Sequence, residues 1–150
     1  MKLCKKNLLV LVATIGATFV FTGCGAKGEK FGSFKLPTEN KSMLYVYRPS
    51  SFVGGGVYYD VNLNGNNNNE IIGTLRNGGF IEKEMVPTEN VEVWAKTESK
   101  ASVSLDLKPN EIYCVKGGVG VGFIVGRPNL EIVDKVLCEK EIIDTQRSFD

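Results

Sequence analysis

The chain has 150 residues, with 18 basic and 17 acidic side chains and no histidine. That length suits one domain with a genuine core, and the near-neutral balance argues against holding a polyanion such as nucleic acid through bulk charge. Without imidazole, Ser-His-Asp and Cys-His catalysis and histidine-bearing zinc sites are excluded.

The first two dozen residues have the layout of an export signal. Lys2, Lys5 and Lys6 form a basic head, and Leu8 to Phe21 is an almost unbroken apolar run of 14 residues. This lies within the roughly 7–15 residues of a signal-peptide core and below the roughly 20 needed for a permanent membrane span. Gly23-Cys24 then supplies a small residue at a cut and a thiol as lipid acceptor. The stretch resembles the lipobox of bacterial lipoproteins, with Phe21 where Leu is usual. Residues 1–23 are therefore read as a lipoprotein signal peptide and Cys24 as the lipidation site, carrying acyl chains of the palmitate type; the alternative is an ordinary secretory signal with an incidental cysteine. By the sorting rule of that family, Gly25 after the cysteine favours the outer membrane, with the domain facing the periplasm.

Removing the signal takes three lysines and no acid, so the mature chain of 127 residues carries a net charge of −2. Gly25 to Lys41 is polar and rich in glycine and lysine. Residues 24–41 are read as the lipidated N-terminus and a flexible tether with a reach of about 20–25 Å, and residues 42–150 as a single β-sandwich domain.

From Ser42 the chain turns to short apolar or alternating runs closed by turn residues, the punctuation of strands. The runs are Met43 to Arg48, Val57 to Leu63, Glu70 to Leu75, Phe80 to Val86, Val91 to Thr97, Ala101 to Leu107 and Ile112 to Lys116. Pro49, Asn77-Gly78-Gly79, Pro87-Thr88-Glu89-Asn90 and Lys108-Pro109-Asn110-Glu111 separate them. Ala101 to Leu107 alternates cleanly, a half-buried pattern. Gly117 to Gly126 is either a strand with glycines at a close backbone approach or a bent connection. Leu130 to Val133 is a final strand, and Asp134 to Asp144 is a short helix capped by Asp134. The fold class is all-β, an antiparallel β-sandwich of about seven or eight strands with a short C-terminal helix.

The order of several motifs resembles the bacterial lipoproteins grouped as domain of unknown function 2846. These are Tyr45-Val46-Tyr47-Arg48-Pro49 followed by the Gly54 triplet, Ile72-Gly73-Thr74-Leu75-Arg76-Asn77-Gly78-Gly79, Val93-Trp94-Ala95-Lys96-Thr97, and Gly117-Gly118 through Gly126-Arg127-Pro128. The resemblance covers about residues 42–134. It implies a secreted or membrane-anchored all-β domain, and it brings no activity, cofactor or catalytic residue. Two loops depart from the family pattern: Asn64 to Asn69 is longer than its tight hairpin, and Val86 to Asn90 replaces a Pro-Pro-Gly-type turn.

Chemistry-bearing motifs are sparse. Asp60-Val61-Asn62-Leu63-Asn64-Gly65 matches the first half of a calcium loop, but position twelve is Ile71 instead of the bidentate glutamate that calcium needs. A strand ending in an Asn-Gly turn produces the same spacing. Neither glycine-rich stretch carries the Lys-Ser or Lys-Thr of a phosphate loop. No catalytic residue, metal site or cofactor is assigned. Cys114 and Cys138 either close a disulfide, whose loop of about 25 residues would contribute about 3.5 kcal/mol, or stand as two separate buried thiols. Trp94, Tyr58, Tyr59, Arg48 and Arg127 are the candidate binding surface. Alternation places Trp94 with Glu92 and Lys96, either exposed for recognition or covered by a loop.

Together these readings describe an envelope lipoprotein held to the membrane through lipid at Cys24, acting by binding or structural association with an envelope protein partner and without nucleic acid. The alternative is a small-ligand or glycan-binding module built on Trp94. An envelope enzyme is third.

Overall fold

A computed structural model describes residues 25–65 and 68–148. The signal peptide and Cys24 lie outside the described residues.

Nine strands and one helix are found among the described residues. They are β1 (Ser42–Arg48), β2 (Tyr59–Gly65), β3 (Asn68–Leu75), β4 (Gly79–Met85), β5 (Val91–Lys96), β6 (Lys100–Leu105), β7 (Ile112–Gly120), β8 (Arg127–Val133), α1 (Lys135–Ile142) and β9 (Gln146–Arg147). A five-stranded sheet in the order β8-β7-β1-β4-β9 packs on a four-stranded sheet in the order β3-β2-β5-β6. The all-β sandwich expected from the sequence is the fold.

Two ladders are not antiparallel. β1 runs parallel to β7, with Met43 opposite Ile112 and Tyr47 opposite Lys116, and the short β9 runs parallel to β4. Asn77-Gly78-Gly79 is a turn between sheets: β3 and β4 lie in different layers. The β2–β3 ladder continues through Asn64 opposite Asn69 and Gly65 opposite Asn68, so residues expected in a long loop belong to strands. Val57 and Tyr58 fall before β2, whereas β7 runs on through Gly117-Gly118 to Gly120. A Cβ at Gly117 would lie 2.7 Å from both Leu75 Cδ2 and the Tyr59 hydroxyl. The glycine admits side chains of the facing sheet, the physical reason a strand can carry it here.

β1 is buried at every position. Its unbroken apolar run is the pattern of a strand covered on both faces. Leu44 and Val46 join Val61, Leu75, Val93 and Val115 between the sheets. Met43, Tyr45 and Tyr47 point the other way, into a second cluster with Phe80, Cys114, Cys138 and Ile142. That second cluster makes the domain three layers deep.

α1 and the segment before β1 supply the third layer. Asp134 caps α1, its Oδ1 accepting from the Leu137 amide at 2.9 Å. The helix buries Cys138 and Ile142, one turn apart. Cys138 is bonded to Cys114 of β7, which joins the helix covalently to the sheet it covers.

Residues 25–41 correct the tether expectation. The Gly28 amide donates to the Arg147 carbonyl, Phe31 donates to Thr145, and Lys30 bridges Gln146, so the segment lies along β9. Phe31 and Phe34 then pack edge-to-face on Tyr45, with centroids 5.9 and 4.9 Å away, and Phe31 also meets Phe80 at 5.3 Å. Two phenylalanines in a polar stretch, with these backbone bonds, seat it over the aromatic face of β1 and β4.

Candidate functional site

Because β1 and β7 run parallel, the C-terminal ends of both strands emerge at one end of the sandwich, where Gly25 also begins the described chain. The Ala26 amide donates to the Asn77 carbonyl at 3.0 Å, placing the start of the described residues beside the β3–β4 turn. Asn77 also holds the β1–β2 loop. Its Oδ1 accepts from the Ser51 amide at 2.9 Å and its Nδ2 donates to the Ser51 carbonyl at 3.0 Å, a pairing of strand-ladder form. Between them lies a shallow groove of about 720 Å³ bordered by Gly25, Ser50, Phe52, Asn77 and Asp144.

Arg48 organises the same loop from inside. It is 1 % exposed. Its Nη1 donates to the Val57 carbonyl at 2.6 Å and its Nη2 to the Gly54 carbonyl at 2.7 Å. Burial lowers its pKa from the usual arginine value.

The β7–β8 hairpin tip packs beside this loop. Gly54 and Gly126 both take positive φ, 71° and 104°, and a Cβ at either would lie 2.8 Å from Val119 Cγ1. The two glycines thus close on one valine from two loops. From the β5–β6 turn, the Glu98 carboxylate accepts the amides of Val125 at 2.6 Å, Phe123 at 2.8 Å and Ile124. These hydrogen bonds hold its pKa down at about 2. Thr97 Oγ1 adds a bond to the Gly126 carbonyl at 2.5 Å.

Held this way, the two loops turn large apolar side chains outward. Phe52 is 102 % exposed, Phe123 and Ile124 91 %, and Val121 87 %. Val53 and Val125 are also exposed. At the rim, the Arg76 guanidinium lies 4.6 Å over the Tyr58 ring, and that of Arg127 lies 5.5 Å over Phe123.

The candidate surface expected from the sequence does not assemble. Arg48 and Tyr59 are interior groups; the Tyr59 hydroxyl donates to the Gly118 carbonyl at 3.1 Å, and burial pushes its pKa up to about 12. Tyr58 and Arg127 stand at the loop end. Trp94 is half-buried on the outer face of the four-stranded sheet, donating to Asn69 at 3.1 Å under Lys100, whose Nζ lies 4.9 Å from the ring. Asp60–Gly65 is part of β2 and pairs with strands on both sides, the strand reading of the calcium-like spacing. Among the described residues, no group of three or more Cys, Asp or Glu side chains is placed to hold a metal.

The chain matches no family model and no curated protein. Among solved structures it is similar to an NMR structure of a protein from Eubacterium rectale, at 10 % identity and a TM-score of 0.42, over 67 % of this chain and 94 % of that one. That likeness is too slight to carry an argument.

Sequence reasoning missed Phe52, Val53, Phe123 and Ile124. Their signal was position: Ser51-Phe52-Val53-Gly54 and Gly122-Phe123-Ile124-Val125-Gly126 put bulky apolar residues where turn chemistry calls for polar ones.

Proposed function

We propose that this chain is a lipid-anchored lipoprotein of the bacterial envelope, fixed through Cys24 and acting by association instead of catalysis. The observation that carries this reading is the basic head, the 14-residue apolar run and Gly23-Cys24 at its end. The motifs resembling the lipoproteins grouped as domain of unknown function 2846 favour the same assignment. On this reading the domain faces the periplasm from the outer membrane and meets an envelope protein there.

The packing of residues 25–34 on the domain adds a constraint. An anchor at Cys24 would be one residue from the Asn77 turn, so the domain would ride directly on the bilayer surface. More than one acyl chain would make that attachment stable, where a single chain holds only marginally.

Mass spectrometry of the mature protein from membranes tests the anchor. A chain beginning at Cys24 with added acyl mass is expected, and Cys24→Ser should be released from the membrane fraction. An unacylated mature chain that begins elsewhere would refute it. Crosslinking in intact cells, with Cys24→Ser as the control, tests the association: a reproducible envelope protein should be captured only by the lipidated form.

A further inference from the structure

We propose that the Gly25 end of the sandwich is a lipid-contacting face, with Phe52 and Val53 of the β1–β2 loop and Val121, Phe123 and Ile124 of the β7–β8 hairpin seated among the acyl chains beside the anchor. This deepens the reading of Cys24 as a lipid anchor and rests on it.

Position is the first argument. The 24 residues preceding the described chain lead into Gly25, which lies against the Asn77 turn, and Asn77 in turn clasps the loop that carries Phe52. Adjacent Cα atoms are about 3.8 Å apart. A lipidated Cys24 therefore brings the bilayer to this end in every anchored state.

Composition is the second. Of the 14 large apolar side chains exposed among the described residues, seven belong to these two adjacent loops, Tyr58 at the rim included. The opposite end presents Val86 in its β4–β5 connection and Val136 and Leu137 in the first turn of α1. Apolar side chains gathered in this way on two adjacent loops mark an interaction site. Here the surface the chain is tethered to has the matching chemistry.

The third argument is that the loops are built to stay open. Arg48, the Asn77–Ser51 pair, the Val119 contact and the Glu98 cradle fix the backbone by hydrogen bonds and packing, and from it the side chains point outward. Tyr58 with Arg76, and Arg127 above Phe123, ring the apolar tips with aromatic and cationic groups. That order suits a bilayer boundary, where aromatic rings and basic side chains sit at headgroup level and apolar groups enter about 5–10 Å.

The test uses the native lipidated chain. Single cysteines are introduced as Phe52→Cys, Ile124→Cys and, at the opposite end, Glu89→Cys. Cys114 and Cys138 are bonded to each other, and acylation occupies Cys24, so each variant offers one thiol for a bimane label. The labelled proteins are reconstituted in phosphatidylethanolamine–phosphatidylglycerol vesicles containing nitroxide-labelled phospholipid. Bimane at positions 52 and 124 should be quenched several-fold more than at 89. Equal, weak quenching at all three would overturn the proposal. Quenching absent in vesicles, with a thiol-attached benzophenone at 52 and 124 in place of bimane crosslinking to one envelope protein in cells on illumination, would overturn it in favour of a protein interface. The intact mass of each preparation reports acylation independently, so a failed anchor and a failed lipid face give different results.

Discussion

The Nη2 of Arg48, a residue with 1 % of its surface exposed, donates to the carbonyl oxygen of Gly54 at 2.7 Å. With the second bond to Val57, one side chain at the end of β1 sets the loop that follows it. Arg48→Met keeps the apolar stem and removes both donors. It should cost about 2 kcal/mol and speed amide exchange across residues 50–57, read by hydrogen–deuterium exchange. Arg48→Lys should not restore both bonds, because a point ammonium lacks the planar fork.

Glu98 gives a dependence on pH. Its carboxyl sits at about 2 in the folded chain against an ordinary 4.5, held down by the amides of Val125, Phe123 and Ile124. A depressed acid stabilises above its unfolded value and loses that contribution as pH falls toward its folded one. The 121–126 tip should therefore be fixed above about pH 4.5 and loosen progressively toward pH 2. Amide exchange at Phe123 and Val125 should follow this course in the native chain. Glu98→Gln should exchange faster at neutral pH and show little change over that window.

The bond between Cys114 and Cys138 closes a loop with a sequence separation of 24. In the chain-entropy model such a loop contributes about 3.5 kcal/mol. Reduction, or Cys114→Ala with Cys138→Ala, should lower the thermal midpoint by roughly 10 °C or more. Thiol titration of the unreduced, denatured mature protein should find neither of these cysteines free; two reactive thiols would contradict the bridge.

Phe31 and Phe34 seat the N-terminal segment, and Lys35 continues it through ion pairing with Glu82, which Arg147 also contacts at 2.5 Å. Burial alone would raise the Glu82 carboxyl; the hydrogen bonds from Lys35 and Arg147 hold it below the usual range. Phe31→Ala should cost about 2 kcal/mol and open residues 25–35 to proteolysis. A segment as resistant in the variant as in the parent would show that the ring does not hold it.

The strands were legible where apolar residues alternate or run between turn residues, as in Ala101 to Leu107 and Met43 to Arg48. Pairing was not. Nothing local in Met43 to Arg48 announces β7 as its parallel neighbour, and the two-residue β9 has no pattern to read. The seating of residues 25–41 was obscured because Phe31 and Phe34 are sparse in a polar sequence, and sparseness resembles a tether. The helix hid its inward stripe because one of its two buried members is Cys138, read as chemistry before it was read as core. Arg48 and Tyr59 looked like surface candidates by residue type, and only the tertiary fold shows them turned inward to carbonyl oxygens. The exposed phenylalanines went unnoticed because glycine-rich loops are read for backbone freedom, not for side chains.

The parallel pairing of β1 with β7 has a consequence for how the chain can be made. A strand completed by residue 48 can pair with β4 from residue 79 onward but must wait for residues 112–120 to become a central strand, and Lys30 must wait for Gln146. Long-range closure of this kind makes the sheet a late event in folding. A chain made from its N-terminus can therefore complete the β3-β2-β5-β6 sheet by residue 105, while the aromatic face of β1 stays without its β7 neighbour and its helical cover until residues 112–142 have followed.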